Sequence, residues 1–331
     1  TSVDELLVYA DVFSLEIHQF LKSWFSQDNY IYVKTSGSTG VPKEIKLLKA
    51  QMINSAFATS EYFGLSQNTS ALLCLPTTYI AGKMMLVRSL TLGWHLDVVD
   101  ASSNPLKNVC KEYDFSAMVP LQLENSLESL QLIKILIVGG GVVSSPLQNK
   151  LQGLSSKVFA TYGMTETITH IAVKKLNNFN VTPSFYEILP NVEIYKDVRN
   201  CLIINAPEVS NEIVFTNDIV HLISDTQFEW LGRFDTIINS GGVKLYPEKI
   251  EAELSKIITS RFFVSGVSDV KLGEKLILII EGTSRLIEIK NTNLSKFEIP
   301  KEIYFVNTFV ETETKKIQRK KTLDLIEKNL L

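Results

Sequence analysis

Ile133-Lys134-Ile135-Leu136-Ile137-Val138-Gly139-Gly140-Gly141 runs a β-branched apolar segment straight into three glycines. Too short for a core helix and bounded by turn residues, it predicts a buried strand feeding a loop. The same alternation extends on both sides. Downstream, a helix is expected over 146–154 and a strand over 158–161. Upstream, strands are expected over 30–33, 71–75, 95–99 and 115–119, and helices over 49–63, 84–92 and 121–130. Strands alternating with helices predict an α/β fold with helices packed on a largely parallel sheet.

After residue 170 the period changes to two. Short strands are expected over 192–195, 202–205, 212–215, 219–223 and 228–231, as a small antiparallel layer on the α/β part. From about Arg233 a second module begins. It has a helix over 247–258 with Pro247 in its first turn, strands over 262–267, 276–281 and 303–306, and a basic C-terminal helix. The expected division is a large domain over 1–232 and a small α+β domain over 233–331, hinged near Asp235.

Composition narrows the function. Lys plus Arg number 33 against 36 Asp plus Glu, for a net charge of -3, which excludes a strongly basic nucleic-acid binder. Cys74, Cys110 and Cys201 lie too far apart for a disulfide framework or a zinc site. No apolar stretch reaches the length of a membrane span, and the acidic start is unlike a signal peptide, so a cytoplasmic protein without membrane insertion is expected.

Three segments carry chemistry. Lys34-Thr35-Ser36-Gly37-Ser38-Thr39-Gly40-Val41-Pro42-Lys43 follows a strand and crowds hydroxyls and glycines together. Backbone N–H groups, hydroxyls and Lys43 suit phosphate oxygens, although the pattern is not a Walker A loop. A plain hairpin turn is the alternative. Ala160-Thr161-Tyr162-Gly163-Met164-Thr165-Glu166-Thr167 places Thr165 and Glu166 beyond a strand, where α/β folds bind ligands. Gly232-Arg233-Phe234-Asp235-Thr236-Ile237-Ile238-Asn239-Ser240-Gly241-Gly242-Val243-Lys244-Leu245-Tyr246-Pro247-Glu248 falls where the pattern changes, as a hinge or as a linker turn.

In this order the three segments resemble those of the adenylate-forming superfamily, which includes acyl-CoA synthetases, peptide-synthetase adenylation domains and luciferases. Thr216-Asn217-Asp218 resembles the family's Thr-Gly-Asp, with Asn for Gly. Thr314-Lys315-Lys316-Ile317-Gln318-Arg319 resembles its Gly-Lys-Ile-x-Arg, with Lys315 for Gly. Family members usually carry a long subdomain before the phosphate loop, so the chain reads as a compact member. Surfaces made by that region would be absent or supplied by a second subunit, as in a homodimer.

The resemblance implies ATP, Mg²⁺ and CoA, with a small carboxylic acid as the other substrate. The acid would attack the α-phosphorus of ATP, and the CoA thiol would then attack the acyl-AMP. Thr35, Ser36, Gly37, Ser38, Thr39, Gly40 and Lys43 would hold the β- and γ-phosphates. Thr165 would touch the α-phosphate and Glu166 would hold the metal. Tyr162, with Gly163, would lie along the adenine. Gly139, Gly140 and Gly141 would let the backbone approach the base and acyl group. Asp218 and Arg233 would reach the ribose. Lys316 would be the catalytic cation between carboxylate and phosphate, Asp235 the pivot, and Gly241 and Gly242 the thiol path.

The segment from Tyr79 through Lys83 to Arg88 occupies the place of the acyl-pocket helix and resembles o-succinylbenzoate–CoA ligases of menaquinone synthesis. Arg88 would meet a second carboxylate, with Lys83 as a further candidate. A structural Arg88, reaching solvent or pairing with an Asp, is the alternative. Other readings are another aryl- or acyl-CoA ligase, an enzyme loading a carrier protein, or a non-catalytic nucleotide-binding homologue.

Overall fold

The computed structural model describes residues 2–34, 44–179, 185–289, 292–311 and 317–330. Two helices come first, α1 (Val3–Phe13) and α2 (Leu15–Trp24), which the sequence reading left unassigned. Ser2 and Glu5 form a reciprocal capping box on α1. Ala10, Ile17, Phe20 and Leu21 anchor both helices in the core. β1 (Tyr30–Lys34) and β2 (Glu44–Leu48) then pair antiparallel, ending with Lys34 opposite Glu44.

The expected alternation follows: α3 (Lys49–Phe63), β3 (Ser70–Leu73), α4 (Ile80–Leu92), β4 (His95–Val98), β5 (Tyr113–Met118), α5 (Pro120–Asn125), β6 (Ile133–Val138), α6 (Ser145–Lys150) and β7 (Lys157–Gly163). The strands stand in the order β7-β6-β5-β3-β4, all parallel. Two helices differ from expectation. α4 starts a turn early, because the Lys83 N–H bonds the Tyr79 carbonyl at 3.2 Å. The helix expected over 121–130 breaks at Ser126 into α5 and a 3₁₀ turn, Leu127–Leu132. Gln122 is drawn inward there, its amide donating to the Cys74 and Ser102 carbonyls at 2.8 and 2.9 Å.

The central strands β3, β5 and β6 are buried on both faces, and side chains alternate between them. Ala71, Leu73, Phe115, Ala117 and Ile137 face the core shared with α1–α4. Leu72, Met118, Leu136 and Val138 face the core on the opposite side, with α6's Leu147.

β8 (His170–Lys175), β9 (Tyr186–Ile188), β10 (Glu193–Lys196), β11 (Cys201–Asn205), β12 (Val214–Ser224) and β13 (Gln227–Arg233) make up the antiparallel layer. It hydrogen-bonds onto the edge of β7, so one 11-stranded sheet runs β10-β11-β12-β13-β9-β8-β7 into the parallel part. The strands expected over 212–215 and 219–223 are one strand, β12. An irregularity in the pairing with β11, where Ile203 opposes Phe215 and Cys201 opposes Ile219, carries the strand through the polar Thr216-Asn217-Asp218 segment without ending it.

Beyond Arg233 lie β14 (Ile238–Ser240), β15 (Val243–Leu245), α7 (Pro247–Leu254), β16 (Phe262–Asp269), β17 (Gly273–Glu281), β18 (Glu302–Val306) and α8 (Arg319–Leu330). The strands form a separate sheet, β15-β14-β17-β16, with β18 parallel to β17. β17 alternates as well: Leu276, Leu278 and Ile280 pack with Ile250 and Leu254 of α7, while Ile277 and Ile279 pack with Phe263, Phe309 and Ile326. No helix among the described residues is long and apolar enough to cross a membrane.

Candidate active site

Because β3, β5, β6 and β7 are parallel, the segments leaving them emerge at one edge of the sheet. These are the turn to Tyr79, Val119-Pro120, Gly139-Gly140-Gly141 and Met164-Thr165-Glu166. This is the edge where open α/β sheets place ligands. Thr165 and Glu166 lie in a one-turn 3₁₀ helix, Thr165–Thr167, with Glu166 exposed. Thr167 is fully buried; its hydroxyl donates to the Met164 and Thr169 carbonyls at 3.1 and 2.9 Å, pinning the turn. Gly163 opposes His170 across β7–β8 so tightly that a Cβ there would lie 2.0 Å from the Thr169 carbonyl oxygen. Only glycine fits that approach.

The sheet brings Tyr162, Asp218 and Arg233 together. The Tyr162 hydroxyl donates to Asp218 Oδ2 at 2.7 Å, and the Trp230 indole donates to Oδ1 at 3.1 Å. Arg233 stands 3.9 Å from the same oxygen and pairs with Asp235 through bonds of 3.0 and 3.2 Å. Burial, then the Asp218 charge, raises the Tyr162 phenol far above its ordinary value, so it stays a donor. Its ring meets Phe228 edge-on at 5.2 Å. Trp230 was not singled out from the sequence. Its place follows from the β12–β13 pairing, which no local motif reports.

Arg88 on α4 is 2% exposed. Its Nε donates to Thr59 Oγ1 on α3 at 3.4 Å, and its guanidinium carbon stands 5.9 Å from the Phe115 ring centroid. Its Nη1 stands 3.7 Å from the Met85 sulfur, and among the described residues no carboxylate pairs with it. Burial lowers the guanidinium from its usual range to about 10. Its charge acts on His170, whose imidazole burial and Arg88 together pull down to about 3. Ser55, Thr169 and His170 complete this buried polar cluster, again unread from the sequence.

Lys83 belongs elsewhere. Its ammonium bonds the Thr77 carbonyl and, at 3.2 Å, the Thr78 carbonyl, in a cleft of about 550 Å³ beside Glu16 and Phe20. Burial lowers it, against the Glu16 charge. Tyr79, the residue before α4, is 37% exposed. Gly241 and Gly242, at φ of 58° and 80°, turn β14 into β15. Positive φ at both central residues is what a type I′ hairpin turn demands. Thr35, Ser36, Gly37, Ser38, Thr39, Gly40 and Lys43 lie outside the described residues, as does Lys316. The flanking residues pair in each case: Lys34 with Glu44, and Glu311 with Ile317.

A family profile described as AMP-binding enzyme matches residues 13–200, more than half of the chain. The chain belongs to that family. A similar solved structure is the acyl-CoA synthetase (AMP-forming)/AMP-acid ligase II-like protein from Dyadobacter fermentans, 36% identical to this AMP-binding enzyme over 94% of it and 93% of that chain, with a TM-score of 0.64. The o-succinylbenzoate coenzyme A synthetase from Bacillus subtilis, in complex with ATP and magnesium ion, aligns over 98% of this chain and 82% of its own at 20% identity and a TM-score of 0.78. That likeness shows the adenylate-forming fold. Among curated relatives, the 2-succinylbenzoate–CoA ligase of Geobacillus sp. is 24% identical over 94% of this chain and 72% of its own.

Proposed function

We propose that this AMP-binding enzyme is an ATP-dependent acid–CoA ligase acting through an acyl-adenylate, and that its acid is 2-succinylbenzoate. The observation that carries the acid is Arg88, a guanidinium buried without a carboxylate among the described residues. A buried cation without a counter-ion is costly, and a second carboxylate on the substrate would supply the missing charge. The names of the curated relatives support the same acid.

In the first step a carboxylate oxygen attacks the α-phosphorus of ATP and pyrophosphate leaves. In the second the CoA thiol attacks the acyl carbon and AMP leaves. Asp218, held by Tyr162 and Trp230, keeps lone pairs for the ribose hydroxyls. Thr165 faces the α-phosphate. The exposed Glu166 carboxylate would hold a Mg²⁺ that arrives with ATP, a hard cation that takes oxygen ligands. Thr35, Ser36, Gly37, Ser38, Thr39, Gly40 and Lys43 hold the outer phosphates, and Lys316 offsets the repulsion between carboxylate and phosphate. The domains divide at residue 233, with Asp235 as pivot between the two steps.

Acid-dependent exchange of labelled pyrophosphate into ATP, without CoA, tests the reading. Exchange with 2-succinylbenzoate is expected. Exchange that strictly required CoA would remove the two-step mechanism, and exchange with monocarboxylic acids alone would remove the diacid.

A further inference from the structure

His170 is 7% exposed, and among the described residues its Nε2 is a buried side-chain nitrogen with no hydrogen-bond partner. A buried polar group left unpaired is destabilising, and most such groups in folded proteins have a partner. The neighbours of His170 bear on what that partner is. Nδ1 stands 3.5 Å from the Thr169 hydroxyl, which is 3.1 Å from the Ser55 hydroxyl. The buried Arg88 charge also acts on the ring.

The hydroxyl relay admits one arrangement that leaves Nε2 a donor. With Ser55 donating to Thr169 and Thr169 donating to Nδ1, a neutral ring carries its proton on Nε2. An anion between Arg88 and the ring selects that tautomer, since it accepts from both. Two buried cations sharing one site would repel, whereas a guanidinium and a neutral imidazole N–H offer two donors for one charge. The backbone fixes the place: His170 lies opposite Gly163, three residues beyond the Thr165–Thr167 turn.

We propose that His170 determines acid specificity, its Nε2–H and the Arg88 guanidinium together binding the carboxylate that is not activated. This rests on the diacid reading above and adds a residue to it. The ligand class is a dicarboxylic acid whose second carboxylate enters a buried site. A monoacid leaves both donors unpaired and is rejected for that reason.

The test uses the full chain, with 2-succinylbenzoate and benzoylpropanoate, the same skeleton without the ring carboxylate. His170→Phe keeps the ring and removes the donor; His170→Gln restores a donor. In pyrophosphate exchange, His170→Phe should lower kcat/KM for the diacid about 10-fold or more and leave the monoacid within about threefold, with His170→Gln between. Nitrogen NMR of the ring in the wild type is independent of how the variants fold. Adding the diacid should shift a protonated Nε2, and the monoacid should not. Equal losses on both acids, or an unprotonated or unmoved Nε2 with diacid bound, would overturn the role of His170 alone. A wild type inactive on the diacid would overturn the diacid reading as well.

Discussion

Thr236 donates its hydroxyl to Glu248 Oε1 at 3.0 Å, tying the turn that holds Asp235 to the first turn of α7. The other oxygen of Glu248 is buried without a hydrogen-bond partner among the described residues. It presses on Gly232, where a Cβ would lie 2.5 Å away and where φ is +145°. The junction between the two sheets is thus closed by a carboxylate against a bare backbone.

Gly232→Ala should destabilise the protein by about 1–3 kcal/mol, from strain at positive φ and collision with the Glu248 carboxylate. Glu248→Ala removes the collision and the Thr236 bond. The double variant should therefore lose less than the sum of the single losses, read from urea midpoints. Strict additivity would show that the contact at Gly232 carries no energy.

Asp235→Pro should slow both half-reactions, since a fixed φ at the proposed pivot restricts rotation. Lys316→Ala should cripple acyl-AMP formation and largely spare thioester formation from supplied acyl-AMP. Gly242 is the reverse case, and its turn geometry limits the choice of variant. Asn tolerates positive φ, so Gly242→Asn crowds the proposed thiol path with less strain than a β-branched residue. Parallel assays of the two half-reactions check the set. Equal losses in both steps for Lys316→Ala and Gly242→Asn would argue against alternation.

The alternating strands and helices were legible because the central strands β3, β5 and β6 are buried on both faces and each run is short and apolar. The length of β12 was hidden: its polar middle, Thr216-Asn217-Asp218, reads as a break, while the ladder with β11 resumes on either side of it. Asp218 and Arg233 could be singled out because each lies in a contiguous motif, and the sheet brings them together with Tyr162. Trp230 was not, since it reaches Asp218 across a strand pair. The Arg88–Thr59–His170 cluster joins α4, α3 and β8, and such a meeting leaves no spacing to read.

Asp218→Asn should raise KM for ATP at least about 10-fold, because one neutral amide replaces the acceptor for Tyr162, Trp230 and the ribose. Trp230→Phe keeps the ring and removes one donor, so its loss should be smaller. Indole fluorescence of the wild type should respond to ATP, and that response should vanish in Trp230→Phe. A full response in that variant would place the nucleotide away from Asp218.

His170 gives a pH signature. Its ring falls from the ordinary 6.5 to about 3 in the folded protein. Between those values the unfolded chain binds a proton that the native ring refuses, so the native state loses stability as pH falls through 6.5 toward 3. The slope is at most about 1.4 kcal/mol per pH unit. His170→Phe should remove this contribution. The wild-type urea midpoint should therefore fall relative to that of the variant between pH 6.5 and pH 5. Parallel curves would show that the buried ring takes its proton in the folded state.

Arg88→Ala tests the substrate most directly. A hydrogen bond to a charged group is worth about 1.5–3 kcal/mol, so kcat/KM for 2-succinylbenzoate should fall about 10- to 150-fold. The loss should spare benzoylpropanoate, which lacks the ring carboxylate. Arg88 also fills space between Thr59 and Phe115, so truncation opens a cavity. Arg88→Met fills that space without a charge and should show the same selectivity with a smaller loss of stability. The ratio of the two acids, measured by pyrophosphate exchange, is insensitive to the fraction of folded enzyme. If that ratio stays at its wild-type value in both variants, Arg88 is a packing residue and the diacid loses its principal support.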